Sequence, residues 1–287
     1  MEQVFGQHPH KGLPYILRLE LTFRVDGDVT ERIKYWFELC NNEFNDFHSS
    51  GVQHVSSLAQ RGLKRFPEGY QGGSEIDNVD FSQDATLIDG RLSVDQGSKT
   101  SVEYDGLWVG RGGVPYAYLE CLSTSPTVSQ AEIGLRLRAI LARYCDRFPI
   151  QFAYISGGDN VRQRTALEVA LRRPWPVALE QVDQVLRGYS WVTVIPKVLA
   201  PVVLPRVMDD SLLVANATES GDLLVQAGDT FDDYDDSRMS ALFKCLAPVL
   251  PDGTPVRNEI AKSWPDRFVD RDAREVAKFH SATTPRH

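Results

Sequence analysis

No stretch of this sequence is apolar for long enough to cross a bilayer as a helix. The longest strongly apolar run, VLAPVVLP at 198–205, falls far short of the roughly 20 residues a span requires, and prolines interrupt it. Cationic charge is also in short supply. Lys and Arg number 31 against 39 Asp and Glu, a formal net charge of −8. That argues against a general nucleic-acid binder, which needs a cationic face to displace counterions from phosphates. Cysteine is sparse and scattered: Cys40, Cys121, Cys145 and Cys245 form no CxxC pair and no Cys/His cluster. Each sits among apolar neighbours, which predicts buried free thiols in a reducing compartment. The six histidines show no HExxH or other ligand spacing, so no histidine metal site is expected. The first residues, MEQVFGQHPHKGLP, have neither the cationic nor the apolar region of a secretory signal. The expectation is a cytoplasmic protein that binds neither membrane nor nucleic acid directly.

Catalytic motifs are missing in the same way. There is no GxSxG, no phosphate-cradling GxxxxGK[ST], and no cysteine in a cationic setting. YISGGDN at 154–160 offers a serine before two glycines, which a turn after a strand explains. No cofactor is implied, and an enzyme is not expected.

What is present is the pattern of a packed globular chain, with 42% apolar and 24% charged residues over 287 positions. PYILRLELTFRV (14–25) alternates as a half-buried strand, and TERIKYWFELCNNEFNDF (30–47) repeats Ile33, Trp36, Phe37, Cys40, Phe44 and Phe47 at helical spacing. The interval 67–106 is glycine-rich and acidic, which predicts a turn-rich excursion with short strands at ATLI and RLSV. Strands follow at GLWVG (106–110) and PYAYLECL (115–122), joined by RGG. SQAEIGLRLRAILARYCDRF (129–148) is an amphipathic helix with a Ser129/Glu132 capping box. Beyond it come a strand at 151–158, two helical pieces broken by Pro174 and Pro176, and a strand from 190 that becomes a proline-bounded segment. A hairpin turning at Glu219–Ser220–Gly221 and a helix over 236–249 complete the pattern. Strands in adjacent pairs separated by helices predict α+β: a mainly antiparallel sheet with helices packed on one face. The reading is one domain over 1–250, with 251–287 a peripheral tail. It leaves open two related halves, 1–148 and 151–250.

Two surface features stand out, both acidic. One is the excursion carrying Glu75, Asp77 and Asp80. The other is GDTFDDYDDSRM (228–239), with Asp229, Asp232, Asp233, Asp235 and Asp236 inside eight positions and no base until Arg238. Like charges this close repel, so the run serves solvation, a cation or a basic partner. A regular calcium loop fails on spacing. Counted from Asp229, position 3 is Phe231; counted from Asp233, positions 6 and 12 are Arg238 and Lys244. The aromatics divide: Trp36 and Phe37 read as core, while Trp108 and Trp175 read equally as packing or partner contacts.

The segment from WVTVIPKVLAPVV through LLVQAGDTFDDYDDSRMSALFKCLAPVL resembles the bacterial type VI secretion immunity proteins known as the immunity protein 52 group. The residues that carry the resemblance are Trp191, Thr193, Leu223, Leu224, Gln226, Ala227, Gly228, Asp229, Leu246 and Pro248. The N-terminal helix with Tyr35, Trp36 and Phe37 fits the layout less sharply. The acidic loop and the 67–106 excursion depart from it. The resemblance implies a non-enzymatic antitoxin that binds a cognate effector, and an acidic surface suits a nuclease toxin with a basic groove. The contact residues it points to are Asp232, Asp233, Tyr234, Asp235 and Asp236, with Glu75, Asp77 and Asp80 as a second patch. Two other classes stay open: a metal-dependent enzyme using the Asp229–Asp236 cluster, and an adaptor that loads an effector without silencing it.

Overall fold

The structure, a computed structural model, describes residues 17–24, 30–44, 53–59, 62–65, 85–93, 101–109, 116–124, 129–157 and 165–253. Its strands are β1 (Leu17–Arg24), β2 (Gln53–Ala59), β3 (Gly62–Arg65), β4 (Ala85–Ser93), β5 (Ser101–Val109), β6 (Tyr116–Thr124), β7 (Phe152–Gly157), β8 (Val192–Ile195), β9 (Val214–Ala217) and β10 (Leu223–Gln226). They form one ten-stranded sheet in the order β3-β2-β4-β5-β6-β1-β7-β8-β10-β9. Every pairing described in it is antiparallel. The helices are α1 (Thr30–Glu43), α2 (Gln130–Arg147), α3 (Ala166–Ala170), α4 (Trp175–Glu180), α5 (Ala200–Met208) and α6 (Asp236–Leu246). The molecule is α+β and antiparallel, as expected, and strands from both sides of residue 150 share the one sheet.

The central strand β1 shows why the sheet needs cover on more than one face. All of Leu17 through Phe23 is buried, so both sets of alternating side chains lie inside. Leu17, Leu19, Leu21 and Phe23 share a face with Ala153 and Ile155, set opposite Leu21 and Leu19. α1 and α2 pack there, bringing Trp36, Phe37, Cys40, Leu137, Leu141 and Tyr144 to full or nearly full burial. The Tyr144 ring lies 6.3 Å from Phe23 and 6.0 Å, edge-on, from Trp36. Arg18, Glu20 and Thr22 point the other way, with Phe152 and Tyr154, and are buried as well. The segment around α3 and Arg187 covers them, with the Arg187 guanidinium 5.3 Å from the centre of the Phe152 ring. The buried polar side of β1 thus adds a second layer to the expected cover of one face.

Local signals place several ends. Ser129 caps α2 by accepting the Glu132 amide at 3.2 Å, which is half of the expected capping box; Glu132 Oε1 instead accepts from Arg136 Nη2 at 2.6 Å. Thr165 and Glu168 form a reciprocal capping box at α3. In the β9–β10 hairpin, Gly221 takes φ +89, a conformation that favours glycine. Asp222 then binds three segments together. Its carboxylate accepts from the Ile150 amide (3.1 Å), the Lys197 amide (3.0 Å) and the Ser220 hydroxyl (2.9 Å).

Two expectations are corrected. ATLI and RLSV are one strand: Asp89 and Gly90 sit in register opposite Asp105 and Tyr104, with β2 paired on the other side. Ladder bonds from two neighbours override the turn preference of Asp-Gly. The proline-bounded segment after Lys197 is the helix α5. Pro201 falls in its first turn, where a missing amide costs nothing, and Pro205 forfeits one interior hydrogen bond.

Candidate partner-binding surface

The acidic connection begins where β10 ends. Gly228 has φ +97, and a Cβ there would lie 2.8 Å from the Asp233 Cβ, so glycine is required on two counts. Its carbonyl is held by two donors, the Trp191 indole Nε1 at 3.0 Å and the Gln226 amide Nε2 at 2.6 Å. Gln226 also donates to the Asp229 carbonyl at 3.2 Å. Trp191, Gln226 and Gly228, three residues of the resembling segment, are thus one structural unit that fixes the exit of the strand. Thr193, a fourth, bonds both the amide and the carbonyl of Ser190 through its hydroxyl.

Next comes a single 3₁₀ turn, Phe231–Asp233. Asp233 Oδ2 accepts from both the amide and the hydroxyl of Thr230, each at 2.9 Å. These bonds, chiefly the hydroxyl and then the amide, with help from the Arg238 charge, hold the Asp233 carboxyl below the usual aspartate range. Asp235 Oδ1 accepts the Arg238 amide at 2.9 Å and so caps α6. The Arg238 guanidinium folds back onto the same turn, 3.1 Å from the Asp233 carbonyl and 3.4 Å from Asp235 Oδ2. The aromatic residues of the run turn inward. Phe231 packs edge-on against Trp191 at 6.2 Å, and Tyr234 stands 6.2 Å from Phe231.

The run therefore sorts its residues by job. Asp233 and Asp235 build the turn and the helix cap. Tyr234 is only 2% exposed, which corrects its expected place among partner contacts: the ring belongs to the core. Asp229 and Asp232 are exposed on the outside of the connection. Asp236 opens α6, and its side chain lies outside the described residues, as do Glu75, Asp77, Asp80 and the side chains of Trp108 and Trp175. Among the described residues, no group of three or more His, Cys, Asp or Glu side chains is arranged to hold a metal ion. No helix among them is long and apolar enough to cross a membrane.

Two features were missed by sequence reasoning. One is a buried ion pair on the second face of the sheet, where Arg187 Nε and Nη2 donate to the two oxygens of Glu168 at 2.7 and 3.0 Å. Burial opposes the Arg187 charge, but the Glu168 carboxylate offsets it by charge and hydrogen bond, and the guanidinium pKa lies above its ordinary value. Nineteen residues of sequence separate the two, so spacing gave no signal. The other is the outer side of α5, which is apolar and exposed. Its signal was in plain view: VLAPVVLP is the most apolar run in the chain.

No protein-family model matches the chain, and no curated protein matches its sequence. The fold does have a solved counterpart. The Pseudomonas aeruginosa T6SS protein PA0821 superposes with a TM-score of 0.58 at 12% sequence identity. The match covers 94% of this chain and 87% of that one, so the likeness extends over the whole architecture rather than one motif. At this identity the likeness is one of fold. A protein of the type VI secretion system is thus among those that share it.

Proposed function

We propose that this chain is an antitoxin of a type VI secretion system, binding a cognate effector in the producing cell and neutralising it. The observation that carries the reading is the nearly full-length fold match to a T6SS protein. The segment resembling the immunity proteins, built around Trp191, Gln226 and Gly228, agrees with it. So does the physical character of the acidic connection. An inhibitor needs a preorganised surface, and here two internal aspartate caps and a buried aromatic pair hold the loop while Asp229 and Asp232 face outward. Outward carboxylates on a rigid loop suit an effector with a basic, phosphate-binding groove, such as a nuclease.

The test is co-expression. An effector encoded beside this chain is expected to be lethal alone and harmless when this chain is co-expressed. The purified pair is expected to elute as one complex. Formation of a complex without rescue would replace the antitoxin with an effector-loading adaptor. Absence of both binding and rescue would remove the reading.

A further inference from the structure

We draw no further inference here: the strongest candidate, the exposed apolar outer face of α5 with Val202, Leu204 and Met208, carries none, because nothing in the structure shows what covers it.

Discussion

Arg187 and Glu168 show how a residue's weight depends on where the fold puts it. Both side chains are essentially without solvent contact, so neither charge can be hydrated if the other is removed. Arg187→Met is therefore expected to lower unfolding free energy by about 3–5 kcal/mol, read from urea titration. Adding Glu168→Leu should recover only part of that, because Glu168 also accepts the Thr165 amide at the start of α3. Asp233 makes the opposite point from the surface. Unfolded, it titrates near the ordinary aspartate value of about 3.9; folded, its bonds to Thr230 hold it lower. Its stabilisation is thus complete above the unfolded value and is lost as pH falls through the folded one. Asp233→Asn should flatten that part of the acid limb of a stability–pH curve, with the difference from wild type closing at the lowest pH. A mutant curve parallel to wild type would show that these bonds carry no linked proton. The cysteines are governed by the same burial: the Cys245 thiol is pushed up to about 11, and Cys145 well above its usual range.

Elements with local start and stop signals were legible in the sequence. α2 formed where Ser129, Glu132 and a 3.6-residue apolar stripe placed it, and the β9–β10 hairpin turned at the glycine whose φ of +89 the turn uses. α6 is held by the same kind of signal. Asp235→Ala is expected to cost about 1 kcal/mol by removing its cap, with a matching small drop in thermal midpoint. Elements stabilised by neighbours were not legible. β4 runs straight through Asp89-Gly90 because strands flank it on both sides, and α5 forms across two prolines because Val203 and Val207 are packed inward. Gly157 is a further case, at the end of β7. It reads as a turn residue, yet a Cβ there would come 2.5 Å from the Phe231 ring. Gly157→Ala should destabilise by about 1–3 kcal/mol and loosen the acidic connection, visible as faster amide exchange at 229–235. An unchanged exchange rate would separate the glycine from the loop.

For the molecule as a whole, the division of labour within the acidic run changes how its role in binding should be tested. Neutralising every aspartate would remove caps as well as charge, and a loss of affinity would be ambiguous. Asp229→Asn with Asp232→Asn leaves the Asp233 and Asp235 caps in place. In the antitoxin reading, this pair is expected to slow association with the effector several-fold and to reduce its salt dependence, with little change in the dissociation rate. Equal association rates at low salt would show that the carboxylates serve solvation.

By itself the sequence determined the class of the protein, α+β on antiparallel strands, and the helices and turns whose signals are local. Capping, helical periodicity and glycine at a positive φ act within a few residues, so they can be read without knowing what lies across the chain. The tertiary structure decided what each side chain is for. It sent Tyr234 inward and left Met208 outward, joined Arg187 to Glu168 across nineteen residues, and turned two of five clustered aspartates into caps. Those outcomes depend on which surfaces meet when the sheet closes over its two layers. Burial is a property of that meeting, and no local pattern encodes it.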